Sequence, residues 1–136
     1  LFPYTTLFRS IWIIAFRRTA NFNFEEPGTA GALAKLLAYV KQCDNLRVMI
    51  EGHTSSEGGN KINQPLSTQR AEAVRTWLIQ QGVNPSKVFG TIGYASTRPN
   101  LREPTGKALK AMSAKELDDL RGKNRRITVA VQHGCE

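Results

Sequence analysis

The chain has 136 residues, 40% of them hydrophobic and 22% charged, with 11 Gly and 6 Pro. This is a globular composition at one-domain length, and it excludes intrinsic disorder and collagen-like or coiled-coil architectures. The 19 Lys and Arg against 11 Asp and Glu give a formal charge of +8, and the longest apolar run, Ile11 to Phe16, is six residues, far short of a membrane span.

Leu1 to Ser10 reads LFPYTTLFRS. Those letters translate CTC TTT CCC TAC ACG ACG CTC TTC CGA TCT and resemble a sequencing-library adapter read in frame into a metagenomic gene fragment. Residues 1–10 are therefore set aside, and one domain is expected over 11–136. On that reading an upstream signal peptide, lipid anchor or domain is expected to be missing, and any membrane attachment belongs to it.

Ala20, Phe22 and Phe24 alternate with Asn21 and Asn23, the spacing of a first strand. Glu25-Glu26-Pro27-Gly28 breaks it. Thr29 is the expected cap of a helix running to about Gln42 on Leu33, Leu36, Leu37 and Val40. Leu46, Val48 and Ile50 predict a second strand. Gly52 to Gln64 is polar and reads as a long functional loop. Pro65 is expected to open a second helix carrying Ala71, Val74, Trp77 and Leu78, with Gly82 as its stop. Val88 to Tyr94 predicts a third strand. Ser113 caps a short helix with Glu116, Leu117 and Leu120, and Ile127, Val129 and Val131 predict the last strand. The order β-α-β-α-β-(short α)-β calls for a two-layer α/β (α+β) sandwich, with helices packed on a mixed four-stranded sheet.

Two cysteines, Cys43 and Cys135, are too few for a disulfide framework or a zinc cage. They read as unpaired thiols, with a single disulfide as the alternative. Arg98 to Arg126 holds nine basic and four acidic residues, a net +5, with no aromatic side chain. That stretch suits a solvated face or a polyanion-attracting surface, and without stacking groups no specific nucleic-acid partner is expected. His53 has no acid or nucleophile spaced to form a triad, and with His133 it makes no metal site. Neither an enzyme nor a cofactor is expected.

The second strand runs into Gly52-His53-Thr54, then Ser55-Ser56-Glu57-Gly58. Asn63, Leu66-Ser67-Thr68-Gln69-Arg70-Ala71 and Val74 follow, then Gly93-Tyr94, Arg98-Pro99 and Asn124-Arg125-Arg126. In order and spacing, over residues 20–132, these motifs resemble the OmpA-like C-terminal domain, of the peptidoglycan-associated lipoprotein and MotB type. The resemblance implies noncovalent binding to peptidoglycan in the periplasm, at the cell envelope near the outer membrane. The implied ligand is the diaminopimelate of the peptide stem, and the domain tethers an envelope protein to the wall. An arginine at the helix start takes the ligand carboxylate in that family, and Arg70 matches it; a guanidinium fork suits a planar carboxylate. An aspartate following the Gly-His-Thr of the loop takes the ligand ammonium. Thr54 keeps the motif, but Ser55 stands where the aspartate is expected, and Glu57 is the nearby replacement charge. Asn63 matches a loop asparagine, and Asn23 stands after Phe22, where the family often has aspartate. Arg125 or Arg126 is expected to line the cleft or pair with Glu51, the other being solvated. Trp77 reads as core, Phe22 as core and, beside Asn23, as a candidate ligand contact, and Arg70 as an exposed side chain. The competing expectation is a degenerate OmpA-like domain that has lost wall binding and serves as a structural or protein-interaction module. Oligomeric state is left open.

Overall fold

The computed structural model describes residues 9–12, 14, 16 and 19–135. Three strands form the body of a mixed sheet: β2 (Arg47–Gly52), β3 (Val88–Gly93) and β4 (Ile127–His133). β2 runs parallel to β3 and antiparallel to β4. β1 (Arg9–Trp12) adds antiparallel to β4, giving the order β1-β4-β2-β3.

The first strand is not where the alternation of Ala20, Phe22 and Phe24 puts it. That segment is turn and bend, with a single bridge between Phe22 and Phe16. Its backbone serves turns instead: the Asn21 main-chain N–H donates to Thr19 Oγ1 and the Asn23 main-chain carbonyl accepts from Glu26 N, local bonding that competes with a ladder. Arg9 and Ser10, set aside on sequence, lie in β1; Leu1 to Phe8 lie outside the described residues.

Two long helices pack on this sheet. α1 (Thr29–Val40) is capped by Gly28 at φ 93 rather than by Thr29, which is its first residue and is buried. Its Leu33, Leu36 and Val40 join Val48, Ile50, Val74, Leu78, Ile127 and Val129 in one apolar core. α2 (Gly59–Gln80) starts six residues before Pro65, which lies inside it. The ring removes one N–H from the helix ladder. Separately, the Gln64 carbonyl accepts from Ser67 Oγ and Thr68 Oγ1. A 3-10 turn at Pro85–Lys87 leads into β3. α3 (Gly106–Ala111) was not expected from sequence. α4 (Ala114–Asn124) was, and it carries a capping box between Ser113 and Glu116.

Cys43 and Cys135 form a disulfide, with Cα atoms 5.7 Å apart, which corrects the expectation of free thiols. The β2–β4 register explains the pairing. Arg47 opposes His133, so the segment before β2 and the residues after β4 end side by side.

Candidate ligand-binding cleft

The site begins where β2 ends. Gly52 lies so close to α2 that a Cβ would collide with the Ser67 carbonyl, and at Gly93 a Cβ would collide with Ser67 Oγ and the Thr68 amide. These two glycines let the helix press onto the ends of two parallel strands. Beyond them the chain stays extended and pinned. His53 N donates to Arg126 O, Thr54 N to Ala95 O, and Tyr94 N to Gly52 O. The His53, Thr54 and Ser55 side chains are therefore buried rather than part of an exposed polar loop.

A short polar relay lies beneath. Thr128 Oγ1 donates to Glu51 Oε1 at 2.6 Å and stands 2.8 Å from His53 Nε2. The hydroxyl proton is committed to Glu51, so His53 Nε2 donates. His53 also stacks on Tyr94, whose ring carries Arg98 at 3.7 Å.

The loop then turns at Gly58, φ 85, into α2. Asn63 Nδ2 donates to Ser55 O at 3.1 Å, and Asn63 is itself buried. Glu103 holds the outer side. It accepts from Ser56 N at 2.9 Å, Ser56 Oγ at 2.8 Å, Arg121 Nε at 2.9 Å and Asn124 Nδ2 at 3.2 Å. Burial alone would raise the Glu103 pKa, but these donors, Ser56 foremost, outweigh it and hold the carboxyl below its usual range.

The walls so fixed enclose a cleft of about 560 Å³. Thr54, Ser55 and Glu57 line the loop side, Ile62, Asn63, Leu66 and Arg70 the α2 side, and Phe16, Asp118 and Arg125 the remainder. Arg70 is not the exposed cation expected from sequence. It is 2% exposed, with its guanidinium carbon 5.2 Å from the Phe16 ring centroid. Desolvation first, then the Arg125 charge, lowers its pKa to about 10. Such a cation gains from any anion entering the cleft. Arg125 contacts Asp118 at 2.9 Å and Glu57 at 3.9 Å, and Arg121 contacts Glu57 at 3.2 Å. Arg126 is not solvated: it is 5% exposed and donates to the carbonyls of Asn124 and Arg98. Burial lowers its pKa, with the Glu51 charge acting against that.

Six of the residues singled out on sequence thus share one cleft: Arg70, Ser55, Asn63, Thr54, Glu57 and Arg125. Asn23 lines a second cavity of about 560 Å³, which shares Phe16, Asp118 and Arg125 with the first. Phe22 lines neither cavity and packs edge-on against Trp77 beside the core. Sequence reasoning missed Phe16, Ile62, Leu66, Asp118 and Glu103. A signal for two of them was present, since Ile62, Leu66 and Arg70 are spaced four apart. Starting the helix at Pro65 concealed that face.

The arrangement is an α/β sandwich with a charged cleft where a parallel strand hands over to a helix. The OmpA family profile matches residues 22–113, so this chain belongs to the OmpA family. It is 37% identical over 67 residues to the peptidoglycan-associated lipoprotein of Buchnera aphidicola, covering 49% of this chain and 38% of that protein. It is 31% identical over 105 residues to the peptidoglycan-binding protein ArfA of Mycobacterium tuberculosis, covering 77% and 28%. The chain thus spans well under half the length of these curated relatives. In fold it resembles the periplasmic domain of Helicobacter pylori MotB, with a TM-score of 0.66 at 18% identity, covering 93% of this chain and 81% of that one.

Proposed function

We propose that residues 11–136 are a noncovalent peptidoglycan-binding module of the periplasm, tethering an envelope protein to the cell wall. Its cleft takes the diaminopimelate of the peptide stem, and no bond is made or broken. The observation that carries this reading is the buried Arg70 guanidinium facing a ligand-sized cleft that carboxylates also line. A ligand carboxylate on Arg70 meets a buried guanidinium, where a charge-assisted hydrogen bond is strongest. Ile62 and Leu66 offer apolar surface to the aliphatic chain of a diamino dicarboxylic acid. Relatives named for peptidoglycan support the same ligand class. The disulfide supports an oxidising compartment.

The test is retention on insoluble peptidoglycan, with and without excess free meso-diaminopimelate. The parent protein is expected to be retained and to be released by the competitor, and Arg70→Met is expected not to bind. One observation favours a second reading, a structural or protein-interaction module that has lost wall binding: residue 55 is an uncharged, buried serine. Absence of retention by the folded parent would establish that reading.

A further inference from the structure

Resting on the wall-binding reading, we infer that Asp118 is the residue that takes the ligand's ammonium in this chain. A zwitterion whose carboxylate meets Arg70 needs a negative group in the same cleft. Ser55 brings no charge, is 4% exposed, and has its carbonyl tied to Asn63. Among the described residues the cleft is lined by two carboxylates, Glu57 and Asp118. Glu57 faces two guanidiniums, Arg121 at 3.2 Å and Arg125 at 3.9 Å, whereas Asp118 faces one. Asp118 meets Arg125 through Oδ1 at 2.9 Å, and a carboxylate has about four acceptor positions. Its Oδ2 can therefore receive an ammonium without breaking that pair. The Asp118 side chain is 72% exposed. It also lines both cavities, on the ridge it shares with Phe16 and Arg125. A ligand group can reach it from either side.

The placement on α4 serves this role. Asp118 and Arg121, three apart, lie on one face of α4, and Arg125 follows at the helix's C-terminal cap. Arg121 holds Glu57 and Glu103, Arg125 steadies Asp118, and the acid stands at the cleft.

The experiment is calorimetry with two stem tripeptides. One carries meso-diaminopimelate at its third position; the other carries 2-aminopimelate, which keeps the distal carboxylate and lacks the distal ammonium. The parent is expected to prefer the diaminopimelate peptide by about tenfold, the lower range for a charge-assisted hydrogen bond. Asp118→Asn is expected to erase that preference while binding the 2-aminopimelate peptide as the parent does, with an unchanged melting temperature. Glu57→Gln is expected to keep the preference. A preference that survives in Asp118→Asn, or that disappears in Glu57→Gln alone, overturns the assignment and leaves the wall-binding reading standing. Binding of neither peptide by the parent overturns both.

Discussion

Arg70 shows how one residue can be costly to the fold and useful to the site. Its guanidinium is buried, and burial and Arg125 both act against its charge. The unfolded chain holds the proton up to the ordinary arginine range, and the folded chain releases it from about 10. Unfolding therefore takes up a proton between those values, and the penalty is fully present at neutral pH and lifts as pH rises through the window. Arg70→Met keeps much of the side-chain volume and removes the charge. It is expected to raise stability by about 1 kcal/mol at pH 7 while abolishing wall binding. Urea midpoints for parent and variant should converge at pH 11. A variant less stable than the parent at pH 7 would show that Arg70 is a structural cation. The sequence marked this residue through its motif, yet as an exposed one. A motif gives the residue type and its place on the helix, whereas burial depends on Phe16 and Arg125, which arrive from distant parts of the chain.

At the scale of elements, the cleft depends on how closely α2 approaches the sheet and on how the loop before it is clamped. Gly93→Ala puts a methyl group into Ser67 Oγ and the Thr68 amide. The backbone must shift, and the expected cost is about 3 kcal/mol in denaturant unfolding. Gly31→Ala, in α1 with open space around it, is the contrasting case and should gain about 1 kcal/mol from helix propensity. Glu103→Gln keeps the shape and removes the charge that collects Ser56, Arg121 and Asn124. A loss of about 1–2 kcal/mol is expected, together with faster hydrogen exchange at the Ser56 amide. Because the folded carboxyl lies below its ordinary range, Glu103 contributes stability above that range. The contribution fades as pH falls through the folded value, so parent and variant should converge in acid. Three of the strands and both long helices were legible from apolar spacing. The start of α2 was not, because proline favours a first turn while here the helix opens at Gly59, six residues before Pro65. The first strand was misplaced because alternation was read where the backbone bonds locally into turns. Glu103 left no local signal, since its four donors come from two segments distant in sequence, the loop at Ser56 and α4.

Over the whole molecule, much of the +5 stretch is engaged within the protein. Arg121, Arg125 and Lys115 hold ion pairs, Arg126 is buried and Arg98 lies over Tyr94. The disulfide could not be read from two cysteines 92 positions apart, because only the strand register brings them together. Reduction, or Cys43→Ala with Cys135→Ala, should lower unfolding stability by about 2–4 kcal/mol, as followed by thermal melting with and without reductant. The same bond has a mechanical consequence. It closes a covalent ring from Cys43 to Cys135 that contains β2, α2, α4 and thus most of the cleft. Tension applied to the backbone anywhere before Cys43 and resisted after Cys135 passes through the sulfur bridge and bypasses everything inside the ring. Under such a load α1 and β1 can be drawn out while the cleft elements carry no stretching force. Pulled between its ends in an optical trap, the oxidised chain should lengthen only by the segments outside the ring. The reduced chain should add the ring's contour, about 3.3–3.6 Å for each released residue.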